Sequence, residues 1–549
     1  MSRANTRLQV MWNRLLAVVE EQGQALIRAA FSPIVRECGD ISAGIFDVQG
    51  RMLAQAVTGT PGHINTMAEA VKTLRDRFEL RDMKPGDIFL TNDPWIASGH
   101  LNDFLLMMPV FHRGAVIGFT SCTSHLVDLG GQGMGPEGSD IFDEGLLIPP
   151  CKLMDQGEIN ALLLEIVKAN SREPIANEGD IYALIACCEA GAARLAGMME
   201  EFGIDALDEL ANYIIDTSYR GTVDAISELP KGTWQSVLKV DGYEEEIDLH
   251  ATLTITEAQV LLDFTGTSGL SNKGINVPLN YATAYSVFAL RCIIGPDIPN
   301  NAGSLAPFLV TAPSDCILNA QAPAPVAMRH TLGQMTPDLV YGCLSQAVPD
   351  AVPAEGASCM YDLPLRHVAE AALSGGKQFA LELVFNGGTG ARPALDGLSA
   401  TAFPSGVWGS QIETTEAVAP VLFSRRELKQ DSGGAGKFRG GLGQHIELRS
   451  SIEEDFMVFL SVERVLNPAR GRHGGQAGAA GRIRIGHDGE DLPSKGEVRV
   501  KAGKTLIFET PGGGGFGPPQ ERCVEHVQRD LDEGLVSLKA AREIYGANL

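Results

Sequence analysis

The residues with the clearest chemical potential lie in one stretch, from Thr91 to Gly131. It contains His100 and Asp103 near its start and His125 and Asp128 near its end. Two imidazoles and a carboxylate form a ligand set that suits a borderline divalent metal such as zinc or manganese. The stretch has neither an HExxH nor a CxxC motif, so the metal hypothesis depends on bringing these residues together in space.

A predicted hairpin would bring them together. The apolar runs 104–111 and 115–121 flank the short segment His112-Arg113-Gly114, and this pattern is typical of a β-hairpin. Any one of the histidines alone is more often a surface or hydrogen-bonded residue than a ligand. Their convergence at one end of a hairpin is what favours a metal site.

The register of the hairpin follows from the position of its turn. If the turn centres on Arg113, the numbers of paired residues sum to about 226. Leu101 would then lie opposite His125, and Asp103 would be the diagonal neighbour of His125, about 7 Å away at Cβ.

Four further residues are candidates for the same site or for anion binding. Asp40 precedes a predicted hairpin, His63 stands at the start of a predicted helix, and Glu144 follows a glycine-rich loop. A carboxylate such as Glu144 near a metal could act as a general base. His330 begins another predicted helix, whose N-terminus could help hold an anion. For each residue, the alternative is a structural role as a cap, a buried hydrogen-bonding group or a solvated loop residue.

The surrounding elements predict an α+β protein with antiparallel sheets and helical layers. Helical periodicity marks residues 6–30 and much of 156–228, while residues 234–266 switch to the period of two that is typical of an antiparallel meander. The segment 327–348 is predicted to be one helix. After about residue 380, short alternating runs lie between glycine clusters, which predicts a Gly-rich β region. Those clusters could also bind a phosphate through backbone N–H groups, with structural turns as the alternative.

We therefore predict a multidomain chain, because 549 residues exceed one ordinary hydrophobic core. The predicted parts are an N-terminal α+β domain with the metal site at 1–232, a central α/β region at 233–380, a Gly-rich β domain at 381–519 and a C-terminal helical cap at 520–549.

Composition and charge exclude several classes of function. Apolar residues make up 44% and charged residues 20% of the chain, as in a globular protein. A formal net charge of −24 argues against binding to nucleic acid or to an anionic membrane surface. The sequence shows no long uninterrupted apolar run that predicts a membrane span. The ten cysteines lack metal spacing and the N-terminus lacks a signal-peptide pattern, so we expect a cytoplasmic protein with reduced thiols.

Several motifs, none of them decisive alone, together resemble the hydantoinase B/oxoprolinase family over nearly the whole chain. This family includes the B-type chain of ATP-dependent hydantoinases, one half of 5-oxoprolinase, a caprolactamase subunit, and subunits of acetone and acetophenone carboxylases. The motifs that carry the resemblance are RECGDISAGIFDVQGRMLAQA, TNDPWIASGHLNDFLLMMPVF, SHLVDLGG, NVPLNYA, ALRCIIGPDIPNNAG, GGTGARPALDG, RELKQDSGGAGKFRGGLG and ETPGGGGFGPPQER.

The resemblance implies a partner protein and a reaction in two steps. In this family a hydantoinase A-type subunit with an actin/hexokinase-like ATPase fold phosphorylates the substrate with ATP, and the B-type chain completes the reaction. This agrees with the absence of a GxxxxGK[ST] phosphate loop from the sequence. In the amide-hydrolysing members the phosphorylated oxygen belongs to a cyclic amide such as hydantoin, oxoproline or a lactam, and water then attacks the activated carbon. The expected assembly is a hetero-oligomer.

The resemblance also implies roles for individual residues. The residues that match the metal positions are His100, Asp103, His125 and, as a fourth ligand, Asp40. A divalent metal suits the second step because it generates hydroxide near neutral pH and polarises an oxygen. Glu144 would transfer a proton, His63 would line the site, and Asp128 would orient His125 from behind.

Two departures from the family pattern bear on the substrate. This chain has IASGH where a threonine or a second glycine is common, and AMRHTLGQM where a Gly-Asn-type sequence is frequent. We therefore expect a substrate other than a plain hydantoin. Two alternatives stay open: a component of a ketone carboxylase that adds CO2 to a phosphorylated enol, and a non-catalytic scaffold for the ATPase partner.

Overall fold

The N-terminal part of the chain forms one antiparallel sheet that carries most of the predicted site. The computed structural model describes residues 3–57, 59–368 and 379–547. The strands of this sheet are β1 Ile41–Phe46, β2 Met52–Gln55, β3 Ile88–Thr91, β4 Asp103–His112, β5 Ala115–His125, β6 Cys151–Asp155 and β7 Glu158–Ile159. They pair in the order β2-β1-β5-β4-β3-β6-β7, and every pairing is antiparallel.

Helices cover both faces of this sheet. They are α1 Arg3–Ala29, α2 Pro33–Arg36, α3 Pro61–Arg77, α4 Ile141–Glu144, α5 Ala161–Ala169, α6 Pro174–Phe202 and α7 Asp208–Ser227. Helices α1 and α6 pack on one face, where Leu15 and Leu184 are fully buried beside Leu106. Helix α3 packs on the other face, where Met67 lies in the same cluster as Leu105. Because successive strand residues point to opposite faces, β4 is apolar on both sides.

The hairpin β4–β5 forms as predicted, but its predicted register is wrong by two residues. Asp103 lies directly opposite His125, in place of Leu101. The turn centres between Arg113 and Gly114, both of which have positive φ, and a bulge near the turn adds one residue to β5. The shifted turn and the bulge each move the partner of a given residue by one position. Since side chains alternate with a period of two, the two offsets together keep the predicted face.

Helix α6 is, in the described part of the chain, the one helix long and apolar enough to cross a membrane. Half of its most apolar window is buried inside the protein, where α1, β4 and β5 pack along it. At Gly191 a Cβ would lie 2.7 Å from the side chain of Gln22 on α1, so the two helices are in close contact. This packing is that of a core helix.

The middle of the chain forms a second sheet with its own helices. Its strands are β8 Gly232–Val240, β9 Ile247–Ile255, β10 Val260–Asp263 and β11 Phe308–Thr311, and its helices are α8 Leu279–Ile293, α9 Ala302–Leu305, α10 His330–Gly333 and α11 Thr336–Ala347. The predicted meander β8-β9-β10 is confirmed, and β11 joins it in parallel. The prediction of one helix over 327–348 is wrong, because the helix is interrupted at Gln334 and Met335.

The C-terminal part contains two further sheets that face each other. Their strands are β12 Tyr361–His367, β13 Ala380–Phe385, β14 Val421–Leu428, β15 Gln444–Ser450, β16 Phe456–Ser461, β17 Arg482–Ile485, β18 Lys495–Val500 and β19 Thr505–Glu509. The orders are β13-β12-β16-β18 and β14-β15-β19-β17, and one apolar cluster takes Leu363 from the first and Ile446 from the second. The remaining helices are α12 Ile412–Val418, α13 Val524–Asp532 and α14 Leu538–Glu543. The predicted division after residue 380 falls at the start of β13 and separates this strand from its partner β12, and the four-part division stays a prediction.

The glycine clusters pack backbone against backbone. The N–H of Gly441 donates to the carbonyl of Thr389 at 2.9 Å, and the N–H of Gly513 donates to the carbonyl of Gly441 at 3.0 Å. A Cβ on Gly513 would lie 1.9 Å from the carbonyl oxygen of Thr389, so only glycine fits there. These N–H groups are bound to neighbouring carbonyls, which leaves them no role in holding a phosphate. We call the packed segments 386–393, 431–443, 470–478 and 510–517 the glycine bundle.

Candidate metal centre

The fold brings five of the six predicted site residues together at one end of the first sheet. Asp103 begins β4 and His125 ends β5, and the two are paired. Asp40 directly precedes β1, which pairs with β5, and its carbonyl accepts the N–H of His125 at 3.4 Å. His63 lies in the first turn of α3, and His100 lies in the loop before β4. Strand ends and one helix N-terminus therefore converge on Asp103.

Three of these residues form the most tightly grouped set, which we call the triad: His100, Asp103 and His125. Nε2 of His100 is 2.8 Å from Oδ1 of Asp103, and Nδ1 of His125 is 3.2 Å from the same oxygen. One ligand atom from each of the three residues lies within 4.8 Å of the others. No member is more than 2% exposed. Three potential metal ligands thus face one another inside the protein.

His63 and Asp40 adjoin the triad. Nε2 of His63 is 2.9 Å from Oδ2 of Asp103 and 3.6 Å from Oδ1 of Asp40. The hydroxyl of Thr60 donates to Oδ1 of Asp40 at 2.8 Å and holds that carboxylate in place. Asp40 therefore reaches the triad across the ring of His63, and its assignment as a fourth metal ligand stays a prediction.

Arg329 belongs to the site, although the sequence analysis did not select it. Its Nη2 is 2.7 Å from Oδ2 of Asp103, its Nε donates to the carbonyl of Ser98 at 2.9 Å, and its guanidinium lies 4.4 Å from the ring centre of Tyr281. Only its neighbour His330 carried a pattern, the predicted start of a helix. A separation of 226 residues lies between Arg329 and Asp103, and no local spacing reveals such a contact.

Two acidic residues of the third sheet also reach this region. Oε2 of Glu382, on β13, is 2.8 Å from Nε2 of His125. Asp362, on β12, has Oδ2 at 3.9 Å from Nε2 of His330. Each is the only acidic residue of its strand and stands among apolar neighbours, in YDLPL and ALELVF. An isolated acid inside an otherwise apolar strand was the signal that could have found them.

The surroundings of His100 fit a bound cation. Its Nδ1 is hydrogen-bonded to the carbonyl of Ala327 at 3.1 Å, and in a neutral imidazole this nitrogen then carries the only N–H. Nε2 has no hydrogen-bond partner among the described residues and presents a lone pair to Asp103 at 2.8 Å. A lone pair and a carboxylate repel each other at this distance unless a positive charge lies between them. The carbonyl of Ala327 is the kind of outer partner that fixes a metal-binding histidine.

His125 faces a carboxylate at each ring nitrogen, Asp103 at Nδ1 and Glu382 at Nε2. A neutral ring has one N–H and can donate to one of them only. The other contact requires a second proton or a metal ion. A divalent cation in the triad, with Glu382 as the outer partner of His125, satisfies both nitrogens.

The charges in the site shift its pKa values in opposite directions. Burial opposes ionisation of Asp103, but the surrounding imidazoles and the Arg329 guanidinium hold the pKa of its carboxyl well below its ordinary value. Burial and the nearby Arg329 lower the pKa of His100 to about 4, so its ring is neutral and able to bind a metal. Burial alone would lower the pKa of His125, but Glu382 beside it raises that pKa well above its ordinary value.

Glu144 is the predicted site residue that does not join the triad. Its Oε1 accepts the N–H groups of Val326 and Ala327 at 2.6 and 2.8 Å, and its Oε2 has no hydrogen-bond partner among the described residues. Burial raises the pKa of Glu144 to about 8. Since the carbonyl of Ala327 holds His100, Glu144 lies one residue behind the triad.

Asp128 does not orient His125. Its carboxylate pairs with Nη1 of Arg172 at 2.5 Å, while Asp103 and Glu382 occupy the positions beside the His125 ring. A small cavity of about 30 Å³ lies next to this pair and is also bordered by Glu382. Asp128 therefore lines a cavity that Glu382, the neighbour of His125, also borders.

Comparison with known sequences points to one family. The sequence profile described as Hydantoinase B/oxoprolinase matches residues 4–519. A protein of unknown function from Methanocaldococcus jannaschii is 31% identical over 96% of this chain and 93% of its own length. A protein of Pseudomonas sp. strain NS671, named as the B component of a D-/L-hydantoinase, is 29% identical over 99% of this chain and 95% of its own. A 5-oxoprolinase of Dictyostelium discoideum is 26% identical over 93% of this chain but only 40% of its own length.

Two solved structures share the fold. ATP-dependent caprolactamase from Pseudomonas jessenii matches with a TM-score of 0.89 and 27% identity over 99% of this chain and 96% of that one. A nucleotide-free acetone carboxylase matches with a TM-score of 0.87 and 20% identity over 98% and 79%, a likeness of fold alone. The predicted α+β class, with antiparallel sheets and helical layers, is confirmed.

Proposed function

Because the chain belongs to the hydantoinase B/oxoprolinase family, we propose that it is the metal-dependent B-type subunit of an ATP-dependent amidohydrolase that opens a cyclic amide such as a hydantoin, oxoproline or lactam. The observation that carries the proposal is the triad, in which two imidazoles and a carboxylate converge at full burial. Its nitrogen and oxygen atoms match the donors that zinc and manganese accept.

The proposal includes a partner that uses the ATP. Two relatives are named as the B or beta component of a larger enzyme, and the 5-oxoprolinase has more than half of its length outside the match. We therefore expect a hydantoinase A-type ATPase subunit to phosphorylate the amide oxygen. The present chain would receive that activated molecule within a hetero-oligomer. Water would attack the activated carbon, the ring C–N bond would break to leave an amine and an acyl phosphate, and a second water would release inorganic phosphate and the carboxylic acid.

A divalent ion held by the triad would act as a Lewis acid and lower the pKa of water. His63 is the proposed proton-transfer residue, because its Nε2 lies between the carboxylates of Asp103 and Asp40 and an imidazole so placed can accept a proton and pass it to the leaving nitrogen. Glu144 would act from behind by fixing the 326–327 backbone that binds His100. Arg329 keeps Asp103 ionised and oriented.

The test is reconstitution of the purified chain with its ATPase partner, with ring opening and ADP release measured separately. We expect His125→Ala and His100→Ala to abolish ring opening. Arg482→Gln, which removes an exposed ion pair with Asp491, should leave it unchanged. Elemental analysis should find a stoichiometric divalent metal in the wild type and lose it in both histidine variants.

Two results would lead to a different function. A strict requirement for bicarbonate, with carboxylation in place of ring opening, would identify a component of a ketone carboxylase. Full activity of His125→Ala in protein without stoichiometric metal would leave only the scaffold role.

A further inference from the structure

A cavity beside α3 has one arginine and no acidic residue among the described residues of its wall. Its volume is about 510 Å³, which is the size of a small-molecule site. Pro61 and Ile64 of α3 line one part of it, and Phe288 and Arg291 of α8 line another, together with the segment 296–300. We call it the arginine cavity. A second cavity of about 410 Å³ adjoins it and shares part of this segment.

Arg291 differs from the other buried arginines because it has no carboxylate partner. It is 9% exposed, and no acidic side chain of the described chain forms an ion pair with it. The other four buried arginines each have one: Arg329 pairs with Asp103, Arg439 and Arg522 with Asp530, and Arg464 with Asp338. Buried charges in proteins are almost always paired. Arg291 therefore lacks the counter-ion that the fold supplies to the other four.

Neutral groups hold the guanidinium of Arg291 in place. Its Nη1 donates to the carbonyl of Ile294 and its Nη2 to the carbonyl of Ile298, both at 2.6 Å. Its Nε has no hydrogen-bond partner within the described part of the chain. An arginine has five N–H groups, so these two carbonyls fix the side chain without using all of its donors. They carry no formal charge, and the positive charge stays unbalanced.

The pKa values of two buried arginines show the same contrast. Burial lowers the pKa of Arg291 below its ordinary value. Burial acts in the same direction on Arg464, but Glu355 and Asp338 beside it raise its pKa above the ordinary value. The direction of the shift at Arg291 is that of a cation with no anion beside it.

The rest of the wall suits an anion with an apolar body. Ile64, Phe288 and Ile298 supply apolar surface. Oε1 of Gln55 accepts a hydrogen bond from the Asn300 amide at 2.7 Å, which leaves the amide N–H groups of Gln55 as donors. Helix α3 begins in the same wall, and a helix N-terminus favours negative charge. In a chain with a net charge of −24, this cavity is a local exception that favours anions.

We propose that the arginine cavity binds a small organic anion, with a carboxylate or phosphate group beside Arg291 and an apolar body against Phe288. An oxyanion there would supply the missing counter-ion and accept the remaining N–H groups of the guanidinium. No residue of the triad lines the cavity. The proposal therefore holds for a hydrolase or a carboxylase, and it can fail while the triad still binds its ion.

The test is titration calorimetry of the full-length protein with benzoate, with its neutral counterpart benzamide, and with inorganic phosphate. We expect benzoate to bind about tenfold or more tightly than benzamide, and Arg291→Gln to weaken benzoate binding by a similar factor, because a charged hydrogen bond is lost in each case. The matched control is Arg482→Gln, which removes the same charge at the surface and should leave the affinity unchanged. His100→Ala should also keep it, since the triad is a separate site.

The relative affinities of benzoate and phosphate show whether the preferred head group is a carboxylate or a phosphate. Equal binding of benzoate and benzamide, equal binding by the wild type and Arg291→Gln, or no binding of either anion would overturn the proposal. Binding that His100→Ala removes and Arg291→Gln retains would place the anion at the triad and also overturn it. If Arg291→Gln does not fold, anomalous diffraction from wild-type crystals with 4-bromobenzoate decides. A bromine peak beside Phe288 supports the proposal, and a peak only elsewhere rejects it.

Discussion

Asp103 and Arg329 form a buried ion pair between residues from distant parts of the sequence. Removing one partner of such a pair leaves an uncompensated buried charge. We expect Arg329→Gln to lower the free energy of unfolding of the metal-free protein by about 3–5 kcal/mol, measured by urea denaturation. Arg482→Gln removes an ion pair at the surface and should change it little. Equal effects of the two substitutions would contradict the assigned role of Arg329.

Glu144 gives the protein a pH-dependent stability. Its pKa is raised from 4.5 to about 8 in the folded chain, so the unfolded state loses its proton first. The contribution of Glu144 to the free energy of unfolding is therefore fully present below pH 4.5 and is lost as the pH rises to about 8. The loss amounts to a few kcal/mol, because each pKa unit is worth about 1.4 kcal/mol. We expect Glu144→Gln to remove this slope from unfolding measured across that range. An unchanged slope in the variant would rule out Glu144 as its source, and Asp491→Asn, which removes an acid at the surface, is the control.

The turn of the β4–β5 hairpin holds the triad indirectly, because it sets the pairing of Asp103 with His125. Gly114 has φ +84 and open space around a Cβ, and Gly197 in α6 also has open space but no positive φ. Gly114→Ala should thus lower the free energy of unfolding by about 1 kcal/mol, through backbone strain alone. Gly197→Ala should raise it by about 0.5–1 kcal/mol. Thermal unfolding distinguishes them, and a loss in both variants would argue against strain as the cause.

The hairpin also shows which structural features local sequence patterns can predict and which they cannot. Alternation and a short glycine-containing loop sufficed to predict β4 and β5, because both signals are local. The register was missed because the turn centres between Arg113 and Gly114 and because a bulge leaves no mark on the apolar pattern. The interruption of the helix before Thr336 was missed for a related reason, since the apolar spacing continues across it.

The residues of the site also fall into those that local patterns predicted and those that only the packing of the sheets brings in. His63, His100, Asp103 and His125 were predicted to share one site and lie together, because three of them flank one hairpin and the resemblance added the fourth. Asp362 and Glu382 were not predicted, since only the packing of the third sheet against the first brings them to His125. The roles assigned to all these residues stay predictions.

Metal binding should stabilise the molecule as a whole. The region around the triad joins β4 and β5 of the first sheet, the segment before α10, and β13 of the third sheet. A ligand at 100 times its Kd adds about 2.7 kcal/mol of stability. We expect chelation with EDTA to lower the Tm, and Mn²⁺ or Zn²⁺ to restore it. His100→Ala should respond weakly to both, and a wild-type Tm that ignores the chelator would contradict a resident metal.

The glycine bundle has a consequence for the pathway by which the chain refolds. Its segments come from remote parts of the sequence and meet largely through main-chain hydrogen bonds, so apolar burial contributes little to bringing them together. Glycine also has the most conformational freedom to lose on folding. We therefore expect the bundle to assemble late, on a sandwich that has already formed. In pulsed hydrogen exchange during refolding, the amides of Gly441 and Gly513 should gain protection after those of Leu448 and Val458 in the sheets. Simultaneous protection would instead mean that the bundle and the sandwich fold as one cooperative unit.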